Sequence, residues 1–237
     1  VDRDRMPGAR WFPGAQLNFA ENLLRRRDDT PALIFWGEEQ VKSQLTWSEL
    51  HGEVSRLAQA LRAQDVKPGD RVAAYLPNLP GAIIGMLATA SIGAVWSSCS
   101  PDFGAQGVLD RFVQIEPKVL IAVDGYFFMG KPIDVLPRVR EIAAKLPSVK
   151  KVVVPYMRAE PPLDGIRDAV SLHEFTAPFQ AKDIHFERLP FEHPLYILYS
   201  SGTTGVPKCI VHGAGGTLLQ HLKEHRLHTD EIGRAHV

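Results

Sequence analysis

An alternation through the middle of the chain limits what it can fold into: short β-branched or apolar runs take turns with segments of helical period. Strand-like "RVAAYLP" from Arg71 precedes helical "PGAIIGMLATASI", strand-like "AVWSSCS", helical "AQGVLDRFVQI", strand-like "VLIAVDG", helical "DVLPRVREIAAKL" and strand-like "KKVVVPY". Pro137 falls in the first turn of its helix, where no backbone N–H is needed. Strand and helix taking turns on this scale predict an α/β fold, a mostly parallel sheet covered by helices.

The leading segment fits the same scheme. "ALIFW" at Ala32 to Trp36 reads as a strand, with a helix expected next. "TWSE" at Thr46 to Glu49 has capping-box spacing, so the Thr46 hydroxyl can accept from the Glu49 N–H while the Glu49 carboxylate reaches back. Leu50, Val54, Leu57, Ala58 and Leu61 then share one helical face, and "VKPGD" ends it. From Met157 to about Pro194 the periodicity fails, which predicts a surface excursion with one short helix at "SLHEFT". "PLYILYSS" returns as a buried strand and "GGTLLQHLKEH" opens another helix. The residues between them are therefore expected to form a strand-to-helix loop at a strand's carboxyl end, where open α/β sheets place ligands.

Composition bounds the partners. The 237 residues are 45% hydrophobic and 23% charged with a formal net charge of zero, enough chain for a sizeable core and no basic footprint for nucleic acid or an acidic membrane surface. Cys99 and Cys209 lie far apart and outside any C-x-x-C spacing, so a reducing cytoplasm is the simplest expectation and no metal site is predicted. No segment reads as a membrane span or signal peptide. The chain opens without an initiator Met, and a missing N-terminus is expected.

The chemistry concentrates in "YSSGTTGVPK". Ser200, Ser201, Thr203 and Thr204 supply hydroxyl donors, while Gly202 and Gly205 let backbone N–H groups approach a ligand unobstructed. Lys208 adds a positive charge and Pro207 stiffens the approach to it, a combination suited to a polyphosphate such as that of ATP. It is not the G-x-x-x-x-G-K-[ST] arrangement, because Val206 and Pro207 intervene and Cys209 stands where a metal-binding hydroxyl would be.

This decapeptide resembles the phosphate-binding signature of the adenylate-forming acyl-CoA synthetase superfamily. "WFPGAQLNFAENLL", "TWSEL", "GDRVAAYLPN" and "GAVWSSCSPDFG" resemble its successive N-terminal segments. "SSCSPDFG" with "PKCIVHGAGGTLLQHLKEH" is similar to the branch that activates acetoacetate; acetate and propionate relatives typically carry Gly after the loop lysine. The resemblance implies an N-terminal, truncated part of the superfamily's large domain. It divides the chain into an N-terminal segment, 1–50, and a partial AMP-binding domain, 51–230.

The implied reaction has two steps: a carboxylate attacks Mg-ATP to form an acyl adenylate and pyrophosphate, then the coenzyme A thiol displaces AMP. Carried over, Ser200, Ser201, Gly202, Thr203, Thr204, Gly205 and Lys208 would hold the ATP phosphates, with Lys208 stabilising charge on the departing pyrophosphate. Lys131 in "DGYFFMGKP" lies where relatives place basic residues toward the coenzyme A 3′-phosphate. The family's adenine, ribose and Mg²⁺ motifs and its adenylation lysine cannot be placed here, so the chain alone is expected to be inactive and to need a C-terminal portion. Its sheet is expected to expose edges and apolar faces. The last residues, Glu231 to Val237, break the family pattern and back-translate as "GAGATCGGAAGAGCACACGTC", similar to sequencing-adapter DNA; a foreign tail is expected.

Other tempting residues read as structural. His212 is expected to pack or hydrogen-bond at the start of the next helix, with Gly215 and Gly216 permitting close approach. His221, His225 and His228 fit a polar helix face, lacking a completing ligand. Cys99 has no base nearby and reads as core. Three readings remain open: an acetoacetate-activating ligase, a ligase for acetate, propionate or another short-chain acid, and a phosphate-binding module without catalysis.

Overall fold

The computed structural model describes residues 2, 4–5, 7–200 and 205–229. Near the amino end, β1 (Gln16–Leu17) leads into the short helix α1 (Phe19–Leu23), which Asn18 caps by accepting from the Ala20 and Glu21 N–H groups. Asn18 is buried, and its amide nitrogen donates to the carbonyls of Ala90, Ser91 and Glu187 at 3.0–3.1 Å. One side chain thus ties the leading segment to the main domain.

β2 (Pro31–Gly37) is the strand read from "ALIFW", but it turns back into β3 (Val41–Thr46) before any helix forms. The ribbon was hidden because Lys42, Ser43 and Gln44 face solvent and leave β3 without an apolar run. The helix α2 (Trp47–Ala63) then starts at the predicted capping box, with Glu49 N–H donating to Thr46 Oγ1 at 3.1 Å and Thr46 N–H to the Glu49 carboxylate at 2.8 Å.

The alternation follows as β4 (Arg71–Tyr75), α3 (Pro80–Ser91), β5 (Val95–Cys99), α4 (Ala105–Ile115) and β6 (Val119–Val123). A hairpin of β7 (Gly125–Phe128) and β8 (Lys131–Asp134) precedes α5 (Leu136–Lys145), with Pro137 in its first turn, and β9 (Lys150–Val154). The stretch 72–101 carries no charged side chain, yet it is strand, helix and strand. Among the described residues no helix is long and apolar enough to cross a membrane.

Within the expected excursion, β10 (Ala169–Ser171) adds a parallel edge strand beside β9, and Ser171 caps the short helix α6 (Leu172–Thr176) at "SLHEFT". β11 (Leu189–Pro190) pairs with β1, and β12 (Pro194–Ser200), β13 (Lys208–Gly213) and α7 (Ala214–Lys223) follow, α7 continuing into a π-helical turn, Glu224–His228. The main sheet has the order β10-β9-β6-β4-β5-β12-β13. Every pairing in it is parallel except β12 with β13, as the alternation predicts for all but the last pair.

The core lies on both faces of β4, β6 and β9, where Val72, Ala73, Leu120, Ile121, Val152 and Val153 are buried, and Phe112, Val139 and Ile142 cover them from the helices. The β13 end is different. Of the apolar residues of "PLYILYSS", Leu195 and Ile197 are buried as expected, but Leu198 is 45% exposed, as are Ile210 and Val211 of β13 at 45% and 56%. This is the exposed apolar surface expected at the sheet's end.

Candidate functional site

The expected strand-to-helix loop is instead the tip of a β-hairpin. β12 runs parallel to β5 and β13 returns antiparallel, pairing Tyr199 with Cys209 and Ser200 with Lys208. Lys208 is therefore the first residue of a strand. "CIVHG" is too short and too near Pro207 to show strand period, which is why the turn back was not legible.

The tip nonetheless sits at the carboxyl edge of the parallel strands, where the fold class places ligands. Ser201, Gly202, Thr203 and Thr204 lie outside the described residues. Ser200 and Lys208 face each other across the neck, and Lys208 is exposed. Gly205 has φ +132°, with nothing within 4 Å of where a Cβ would stand. The backbone there takes a shape that side chains resist, beside open space in which a ligand could approach.

The neighbouring carboxyl-end loop is held by a polar knot. The Tyr75 hydroxyl lies 3.0 Å from the Pro101 carbonyl and 2.6 Å from that of Phe103, and Arg138 Nη1 donates to Pro101 at 2.6 Å. The Asp102 carboxylate accepts from the Tyr126 hydroxyl at 2.7 Å and from the Ser100 hydroxyl at 2.8 Å, and these bonds hold it below its ordinary range. The "SPDFG" turn, Ser100 to Gly104, is thus immobilised next to the hairpin.

One strand further along, the Asp124 carboxylate is fully buried and accepts from the backbone N–H groups of Tyr156, Met157 and Arg158 at 2.8–3.0 Å. Sequence reading passed over Asp124. It also passed over Arg111 and Gln114, which follow the apolar stripe of α4 without belonging to it; their partners are remote in sequence.

Lys131 is exposed at the start of β8, on a ribbon separate from the hairpin's sheet. Glu38 pins the turn before it, accepting from the Met129 and Gly130 N–H groups at 2.7 Å. His212 packs against Tyr196 near the end of β13, ring centroids 5.2 Å apart and planes tilted by 41°. At Gly215 a Cβ would collide with the Phe191 ring, which is the expected close approach; Gly216 has open space instead.

His221 packs edge-on to Phe19 and to His225. Cys99 is buried, and burial pushes its thiol up to about 11, unfit for a nucleophile. A cavity of about 680 Å³ lined by Lys118, Lys145 and Lys150 lies at the amino ends of β6 and β9, the opposite edge from the hairpin.

The model of the family described as "AMP-binding enzyme" matches residues 19–235. The chain belongs to that family. Its AMP-binding fold is 62% identical over 229 residues to the acetoacetyl-coenzyme A synthetase of Rhizobium meliloti (strain 1021), covering 96% of this chain and 35% of that protein. The malonamoyl-CoA synthetase of Penicillium aethiopicum is 43% identical over 242 residues, covering 94% and 33%.

Among solved structures, acetoacetyl-CoA synthetase from Streptomyces lividans superposes with a TM-score of 0.87 at 49% identity, covering 95% of this chain and 34% of that one. The chain spans about a third of the length of these relatives.

Proposed function

We propose that the protein carrying this chain is an AMP-forming acid–thiol ligase that activates acetoacetate with ATP and transfers the acyl group to coenzyme A. The supporting observation is the hairpin neck: Lys208 opposite Ser200, beside a glycine at positive φ, at the carboxyl edge of a parallel sheet. Likeness to acetoacetyl-coenzyme A synthetase at 62% identity supports the choice of acid.

In this reading ATP would supply the adenylyl group that the carboxylate takes as pyrophosphate leaves, and a Mg²⁺ ion would accompany it. Ser200, Ser201, Gly202, Thr203, Thr204 and Gly205 hold the β- and γ-phosphates through hydroxyl and backbone N–H donors. Lys208 holds the negative charge that grows on pyrophosphate as it leaves, an interaction stronger in the transition state than in the ground state. Lys131 meets the coenzyme A 3′-phosphate. The division into 1–50, 51–230 and a foreign 231–237 belongs to the same reading, as does a cytoplasmic location. The chain alone binds phosphate without turnover, because the residues assigned here hold phosphates and activate no carboxylate.

A second acid is favoured by the malonamoyl-CoA synthetase relative. Malonamate and acetoacetate both carry a carbonyl β to the carboxylate. Steady-state kcat/KM of the full-length protein for acetoacetate, malonamate, acetate and propionate tests the choice: acetoacetate should lead, and a preference for acetate or propionate would remove it.

A further inference from the structure

Helix α4 touches both stems of the glycine-rich hairpin, through two side chains one turn apart. Arg111 reaches the incoming stem. Its guanidinium carbon lies 4.3 Å from the Phe103 ring centroid and 5.6 Å from that of Tyr199, and its Nη1 donates to the Gly107 carbonyl at 2.6 Å. A guanidinium near both rings is drawn to each by cation–π attraction, and its planar fork also reaches the Gly107 carbonyl, a combination that a lysine ammonium does not match. Tyr199 is held from its other side, where Ser97 Oγ donates to the Ile197 carbonyl at 2.9 Å and lies 2.8 Å from the Tyr199 hydroxyl. Burial pushes that phenol up to about 12, so it stays neutral.

Gln114 reaches the outgoing stem. Its Nε2 donates to the Pro207 carbonyl at 2.9 Å and to the Asp110 carbonyl of its own helix at 2.6 Å, while Oε1 accepts from the Cys209 thiol at 3.6 Å. Both amide hydrogens and the oxygen are engaged, so the side chain has one orientation. The two residues it grips flank Lys208. Pro207 is held by its backbone carbonyl and Cys209 by its side chain, and together these contacts limit the direction in which Lys208 projects.

We propose that α4 sets the positions of the hairpin stems and of Lys208, with Gln114 and Arg111 as positioning residues; this rests on the reading of the hairpin as an ATP phosphate cradle. Stems held in place beforehand lose less freedom when a ligand binds, and the benefit falls on the step that uses Lys208. The "SPDFG" turn, knotted by Tyr75, Asp102, Tyr126 and Arg138, anchors the start of α4 and carries Phe103. Sheet, turn, helix and hairpin thereby form one connected support.

The test uses the full-length protein with Gln114→Met, which keeps side-chain length but makes none of these bonds, and Arg111→Lys, which keeps charge but not the planar fork. Each should raise KM for ATP in acetoacetate-dependent pyrophosphate exchange about fivefold to tenfold. Thioester formation from supplied acetoacetyl adenylate should change less than twofold. Equal losses in both half-reactions, or unchanged exchange, would overturn the proposal.

A second readout needs no turnover: alkylation of Cys209 by iodoacetamide, followed on its peptide by mass spectrometry. Gln114→Met should accelerate it at least threefold, and an unchanged rate would overturn the clamp. Inorganic pyrophosphate should slow it in the parent protein. Acceleration by Gln114→Met without that protection would leave the clamp standing and remove the phosphate-cradle reading.

Discussion

Replacing Asp124 with alanine should cost the fold about 4 kcal/mol, a large share of the roughly 5–15 kcal/mol that a domain has. The carboxylate is fully buried and accepts three backbone N–H bonds, from Tyr156 at 2.8 Å, Met157 at 3.0 Å and Arg158 at 2.8 Å. Arg158 also places Nη1 3.7 Å away, partly neutralising the charge. Hydrogen bonds to a charged group contribute about 1.5–3 kcal/mol each. Water entering the vacated space offsets part of the simple sum, which leaves the figure of about 4 kcal/mol.

Asn is the informative second variant. One oxygen can still accept from two of the three donors, but its amide points donors at the third, so Asp124→Asn should lose about half as much. Urea denaturation of the chain measures both, the midpoint shifting while the m-value holds. A loss under about 1 kcal/mol for alanine would refute the reasoning, as would asparagine being equal to alanine.

Further outcomes follow from other residues. Lys208→Ala in the full-length protein should slow adenylation at least a hundredfold and thioester formation from supplied acyl adenylate far less; single-turnover rates for the two halves check this, and equal losses contradict it. Gly205→Ala places a Cβ at φ +132° and should cost about 1 kcal/mol or more of loop stability. Pyrophosphate affinity, read by calorimetry, should fall with it; an unchanged affinity would show that the loop tolerates another shape.

Lys151 is fully buried, its Nζ has no hydrogen-bond partner, and burial lowers its pKa from the ordinary 10.5. Lys151→Met should therefore raise stability by about 1–3 kcal/mol at neutral pH. The folded state releases this proton more readily than the unfolded state, so unfolding takes up a proton between the folded pKa and 10.5. The parent's stability from this group rises with pH through that window, and its gap to Lys151→Met should narrow. A gap constant from pH 7 to 10 would contradict the assignment.

The fold was legible where local chemistry decides structure. The Thr46 capping box, the α4 stripe from Ala105 to Ile115 and Pro137 in the first turn of α5 need only neighbours along the chain. What stayed hidden depends on remote pairing: β3 shows polar Lys42, Ser43 and Gln44, β10 is three residues long, and β13 follows a proline. The candidate site divides in the same way. Hydroxyls, glycines and a lysine announce a phosphate loop by composition, but that it caps a hairpin, and that Gln114 reaches it across 93 positions, is tertiary information.

If this chain supplies the phosphate cradle of an acetoacetate-activating ligase, the most direct measurement is exchange of labelled pyrophosphate into ATP by the full-length protein, with and without acetoacetate, beside its Lys208→Ala variant. Exchange that requires acetoacetate and collapses in the variant is predicted; no acetoacetate-dependent exchange, or exchange indifferent to Lys208, would contradict the account.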